Sequence, residues 1–135
     1  MTQRRCAREC ALEVLYRLDI GGEPVAKTVK EIIDKTNFTP EGRDFFKQLV
    51  ESTNKHLLDI DNTIKMTLKH WSLERLSSVD RAILRVATGE LLYATEVPPK
   101  VVINEALEIA KKFSGSESAH FINGVLDSIY KKRCG

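Results

Sequence analysis

Several kinds of chemistry lack their usual residues in this chain of 135 amino acids. It has no glycine-rich phosphate loop, no Gly-x-Ser-x-Gly elbow, no Cys-x-x-Cys pair and no His-Glu-x-x-His motif, which argues against an enzyme built on any of those devices. The three cysteines, Cys6, Cys10 and Cys134, are too few and of odd number for a disulfide framework. With no secretory apolar segment ahead of them, they point to a reducing cytoplasm. Cys6 and Cys10 stand one helical turn apart, but His56, His70 and His120 fall in other segments and complete no metal-ligand set. Cys10 reads as a small core residue, and no cofactor is expected. Apolar runs never approach membrane-spanning length. Internal repeats, low-complexity stretches and the alternating pattern of strands are missing as well.

What is there is helical periodicity, so the expected fold is all-α, with residues 1–135 forming one domain long enough to bury a core without covalent staples. Ala7, Ala11, Val14, Leu15 and Leu18 mark one face of a first helix that Gly21 and Gly22 stop. Val25, Val29, Ile32 and Ile33 mark a short second helix. Thr39, Pro40 and Glu41 read as N-cap, first-turn proline and first-turn acid of a third, whose inner face is Phe45, Phe46, Leu49, Val50, Thr53 and Leu57. A fourth begins at Asp59 or Asp61, carries Ile60, Ile64 and Leu68, and closes at Trp71. Ser77 and Asp80 stand at capping-box spacing before a fifth helix. That helix is apolar on more than one side, as a central helix would be. Pro98 and Pro99 lead into a sixth with Ile103, Ala106, Leu107, Ala110 and Phe113 inward, and Gly115 ends it. Ser116 caps a seventh with Phe121, Ile122, Val125, Leu126 and Ile129 inward. Short connections imply antiparallel neighbours, hence two small bundles sharing one core. Asn123-Gly124 is a hairpin signal inside this helical pattern. We read it as mid-helix, with a close helix neighbour offsetting the glycine and Asn123 bonding a neighbouring backbone.

Charge is unevenly distributed. The net charge is +2, yet residues 1–8 hold Arg4, Arg5 and Arg8 without an acid, and Lys131, Lys132 and Arg133 gather at the other end. Outside these six cations, the remaining 15 of 21 basic residues face all 19 acids, a formal −4. Cations in the first turn of a helix oppose its dipole, each by ~0.3 to 1 kcal/mol, so the three arginines call for an anion. Forked guanidiniums on a helical scaffold suit phosphate oxygens, which makes Arg4, Arg5 and Arg8 candidate nucleic-acid contacts. A frayed, solvated terminus is the plainer alternative.

Three stretches, in order, carry a resemblance over essentially the whole chain: Arg4-Arg5-Cys6-Ala7-Arg8-Glu9-Cys10-Ala11, Val79-Asp80-Arg81-Ala82-Ile83-Leu84-Arg85, and Val102-Ile103-Asn104-Glu105-Ala106 leading to Phe121-Ile122-Asn123-Gly124-Val125-Leu126-Asp127. Together they resemble the NusB family of bacterial transcription antitermination factors. The resemblance implies two packed three-helix bundles without catalytic activity. It also implies pairing with the ribosomal protein NusE, binding of the boxA element of nascent rRNA leaders, and, with NusA and NusG, an RNA polymerase resistant to termination. By the same resemblance the RNA surface includes Arg4 and Arg5, with Cys6 where some relatives carry a third arginine, together with Glu117, His120 and Phe121. The NusE surface includes Tyr16, Asp80, Arg81 and Glu90.

Phe121 would be a stacking platform for a base, or a core residue; Asp80 would meet a basic partner, or simply favour its helix dipole. An RNA-contacting aromatic of the family near the end of the fourth helix has no clear counterpart, since Lys69-His70-Trp71 does not align unambiguously. Two other readings share the pattern. NusB-like domains also form the RNA-recognition part of some rRNA cytosine methyltransferases, for which a chain ending at Gly135 leaves no methyl-donor domain; and the bundle could be a helical interaction module that binds no RNA. Whether the free protein is a monomer or a homodimer stays open.

Overall fold

The computed structural model describes residues 2–69 and 72–134. His70 and Trp71, with whatever they add to the fourth segment, lie outside the described residues. Seven α-helices and no strand occur among those described: α1 (Gln3–Gly21), α2 (Val25–Lys35), α3 (Pro40–Lys55), α4 (Leu57–Thr67), α5 (Ser78–Tyr93), α6 (Pro99–Phe113) and α7 (Ser116–Ile129). A 3₁₀ turn at Leu73–Arg75 precedes α5, and a π-helical turn at Tyr130–Cys134 follows α7. None of these helices is long and apolar enough to cross a membrane.

Local signals explain most boundaries. Thr2 caps α1, its hydroxyl accepting from the Arg5 amide at 3.0 Å, and Gly22 ends it in the left-handed region at φ 63°. Thr39 caps α3 in the same way through the Gly42 amide, and Ser77 caps α5 through the Asp80 amide. Two boundaries differ from the sequence reading. α4 starts at Leu57 rather than at an aspartate, because the single residue His56 turns the chain between α3 and α4; Asp59 therefore lies in the first turn, where an acid suits the dipole equally well. The residue before α7 is Gly115, at φ 100°, and Ser116 is the first helical residue rather than the cap. A reversal this short between α6 and α7 needs a backbone conformation that favours glycine.

Helices α1, α2 and α3 form one bundle; α5, α6 and α7 form the second, with α4 laid against α5 and α7. Helix α5 touches both bundles and is buried on most sides, through Ala82, Ile83, Leu84, Val86, Ala87 and Leu91. Gly89 lets α3 and α4 close on it, since a Cβ there would lie 2.7 Å from the Thr53 hydroxyl and 3.2 Å from Ile60. Cys10 packs against this core, and burial, followed by the neighbouring Cys6 thiol, pushes its pKa up to about 12.

Charged side chains lock the far end of α1 to α5. Arg81 holds Asp19 at 2.6 Å and donates to the carbonyls of Leu73 and Leu76, while Arg85 bridges Asp19 at 3.3 Å and Asp61 at 2.8 Å. Burial opposes ionisation of Asp19, but the hydrogen bonds and charges of Arg81 and Arg85 outweigh it and hold the carboxyl below its ordinary value of 3.8. Asp59, through the Tyr93 hydroxyl, and Glu105, through Arg5, are depressed as well. A depressed carboxyl contributes stability that is present above its unfolded pKa and lost as pH falls through the folded one. Melting temperature should therefore hold steady down to about pH 4 and fall steeply below it. In thermal melts across this range, Asp19→Asn should lie lower at neutral pH and show a shallower acid limb; an acid limb as steep as the native one would contradict the assignment.

Candidate nucleic-acid interface

The three N-terminal arginines have three different fates. Arg4 is exposed, with its guanidinium 4.6 Å from the centre of the Phe45 ring, a cation–π contact. No carboxylate among the described residues forms an ion pair with it. Arg5 is half-exposed and forks onto Glu105 of α6 at 2.9 and 2.5 Å, which is what holds the Glu105 carboxyl below its usual range. Arg8 is interior, 5% exposed, and forks onto Glu90 of α5, 1% exposed, at 2.8 and 2.5 Å. This corrects the sequence reading at two positions. Arg8 does not reach the surface as a phosphate contact, and Glu90 does not reach it as a partner contact; each neutralises the other in the core. The anion that first-turn cations call for is largely internal, supplied by α5 and α6.

The start of α7 faces the opposite end of α5. Phe121 is half-buried, packed on the core and bordering two hollows, so its ring is both a packing residue and an accessible wall. One hollow, of about 290 Å³, also takes in Arg75, Asp80, Glu117 and Ser118. Ser118 donates to one Asp80 carboxylate oxygen at 3.0 Å, tying α7 to α5, while the other oxygen is buried without a hydrogen-bond partner among the described residues. The second hollow, of about 460 Å³, lies between the end of α4 and α7, with Lys69, His120, Gly124 and Ser128 around it. His120 and Glu117 are exposed. Tyr16 is half-buried against the core. Arg81 is held inward by Asp19 and three carbonyls, those of Leu73, Glu74 and Leu76, so it acts as a clamp on the turn before α5 rather than as a free surface cation.

These groups do not converge on one pocket. Helices α1 and α5 run antiparallel, since Arg8 meets Glu90 and Asp19 meets Arg81. At about 1.5 Å per residue, the arginine end lies roughly 16 Å or more along the axis from the Asp80–Phe121 end. A long ligand, not a small molecule, could engage both. Along the α1–α6 edge, Lys112 pairs with Glu9 at 3.0 Å and sits 5.2 Å over the ring of Phe113, which is 47% exposed. The sequence reading places Phe113 inward; as the last residue of α6 it sits where the helix runs out of neighbours. At the other basic end, Lys131 pairs with Asp127, and Arg133 reaches Thr63 at 2.7 Å and Asp59 at 3.5 Å. Gly124 departs from expectation too: it is helical, but a Cβ there would meet none of the described residues within 4 Å, and Asn123 is exposed.

Comparison with known proteins bears on what this surface serves. The sequence model of the NusB family matches residues 5–131. The chain belongs to the NusB family. Among curated NusB-family relatives, transcription antitermination protein NusB of Bacillus mycoides (strain KBAB4) is 48% identical over 128 residues, 94% of this chain and 96% of the relative. The protein of the same name from Dehalococcoides mccartyi (strain ATCC BAA-2266 / KCTC 15142 / 195) is 42% identical over 130 residues, 96% of this chain and 91% of the relative. Solved NusB-family structures agree with the fold. A crystal form of T. maritima NusB superposes with a TM-score of 0.92 at 35% identity, over 99% of this chain and 94% of that one. A crystal structure of antitermination factors NusB and NusE in complex with dsRNA superposes with a TM-score of 0.89 at 33% identity, over 97% and 98%.

Proposed function

We propose that this chain is a cytoplasmic transcription antitermination factor. As a single domain it binds the boxA element of nascent rRNA leader RNA together with NusE and, within a complex containing NusA and NusG, makes RNA polymerase resistant to termination. The observation that carries this reading is near-full-length likeness, in sequence and in backbone, to NusB proteins, one of them solved with NusE and RNA. The surface supports it physically. Arg4 offers an exposed guanidinium and Arg5 a partly shared one, for phosphate oxygens. At the far end Phe121 and His120 offer ring faces for unstacked bases. Glu117 accepts from base edges there or limits affinity by repelling phosphate. Asp80, tied to Ser118, borders the hollow beside this surface, where its negative charge suits a basic ribosomal protein. Nothing in the proposal requires a bond to be made or broken.

The deciding experiment measures binding of boxA RNA and of a scrambled RNA of equal length, with and without NusE, at two salt concentrations. Preference for boxA that NusE strengthens supports the reading; equal weak binding to both RNAs, indifferent to NusE, overturns it in favour of an interaction module without RNA. In the same assay, Arg4→Ala with Arg5→Ala should weaken RNA binding and flatten the plot of log K against log salt by about 0.7 for each phosphate no longer neutralised. NusE pairing should stay intact. Failure of both activities together would report a damaged fold instead.

A further inference from the structure

Gly124 is the one glycine in a helix interior that neither the backbone nor the packing of the described residues explains. Its φ is not in the left-handed region, where Gly22 and Gly115 alone among the described residues are found. Glycines 42 and 89 are each held by a neighbour that a Cβ would strike, the side chain of Gln3 and that of Thr53. Among the described residues, nothing lies within 4 Å of a Cβ on Gly124. Glycine at such a position destabilises a helix relative to alanine. Among the described residues that penalty has no counterpart.

The place of this gap is specific. His120, Gly124 and Ser128 follow one another at four-residue steps, so they form a stripe along α7, and all three border the hollow between α7 and the end of α4. The Phe121 ring borders it as well, and the exposed Lys69 stands on its α4 side. The stripe thus presents an imidazole, a stretch of bare backbone and a hydroxyl, next to an aromatic face and a cation.

We propose that Gly124 is a positioning residue for RNA: it keeps the floor of the α4–α7 hollow free so that the ribose and phosphate of one nucleotide lie directly on the backbone of α7. The base of that nucleotide meets Phe121 or His120, and Lys69 and Ser128 flank its phosphate. This deepens the RNA-binding reading above and rests on it. It assigns the cleared space to a single-stranded segment, because the aromatic face is usable only by a base that has left its stack.

Gly124→Ala and Gly124→Leu test the proposal. Both introduce good helix formers into open space, so both should raise the melting temperature, by about 2 to 5 °C. Binding of boxA RNA should move the opposite way, modestly for Ala and on the order of tenfold or more for Leu, whose side chain fills the hollow. Binding of NusE alone should not change. A more stable protein that binds RNA less well is a combination that a merely structural glycine does not produce. Undiminished RNA binding by a folded Leu variant would overturn the role of Gly124 while leaving RNA binding by the native protein in place. Should the Leu variant fail to fold, the Ala variant decides by the same pairing of measurements. A native protein that binds no boxA RNA would overturn the underlying reading and this proposal with it.

Discussion

Replacing Arg8 by alanine should destabilise the protein by about 3 to 5 kcal/mol, because it strands the Glu90 carboxylate in the core without the guanidinium that neutralises it. For a chain of this size that is a fall of roughly 10 °C or more in melting temperature. The expectation depends on the pair being interior, at 5% and 1% exposed, and on both guanidinium–carboxylate bonds being made. A double replacement, Arg8→Met with Glu90→Leu, should recover most of that stability, since apolar groups of similar volume remove both charges at once. Melts of the two variants followed by circular dichroism check this. If Arg8→Ala melts within about 2 °C of the native protein, the pair is not a structural element. The same result matters for function: if RNA binding disappears with Arg8 it reports unfolding, whereas if it disappears with Arg4 it reports a direct interaction.

Truncating Phe121 to alanine should weaken boxA RNA binding by about 1 to 3 kcal/mol, roughly 5- to 150-fold, the worth of one base stacked on an aromatic ring. Alanine also removes packing, since the ring lies on the core, so the Leu and Tyr variants carry the argument. Phe121→Leu keeps apolar volume and should keep most of the melting temperature while giving up most of the stacking energy. Phe121→Tyr should keep both. If the Leu variant binds RNA as the native protein does, the ring is packing only. The hollows on both sides of Phe121 are what make the first outcome the expected one.

How far this architecture can be read without coordinates differs by the range of the interaction involved. All seven helices follow from apolar spacing, and the caps at Thr39 and Ser77 from residues within three positions of the amides they satisfy. Short-range physics writes itself into short-range sequence. The fate of Arg8 does not, because its partner lies 82 residues away. A partial signal exists all the same: Arg8, Leu12 and Leu15 stand at helical spacing on the buried side of α1. Nothing local, however, announces which acid will meet an inward arginine. Arg81 escapes a reading by sequence for the same reason, since its acceptors are Asp19 and the carbonyls of a turn. Phe113 and Gly124 show the limit of periodicity from the other side. The pattern gives the direction of a side chain, but not whether a neighbouring helix extends far enough to cover it.

The distance between Arg8 and Glu90 along the chain also sets a timetable. At a synthesis rate of about 5 to 20 residues per second, Glu90 leaves the ribosome some 4 to 16 s after Arg8, and Glu105, the partner of Arg5, later still. Through that interval α1 is a nascent segment with an apolar face, three arginines in its first turns, and neither of the acids that Arg5 and Arg8 will meet. It can dock for good only when most of the chain has been made, so the first helix synthesised is among the last to be settled.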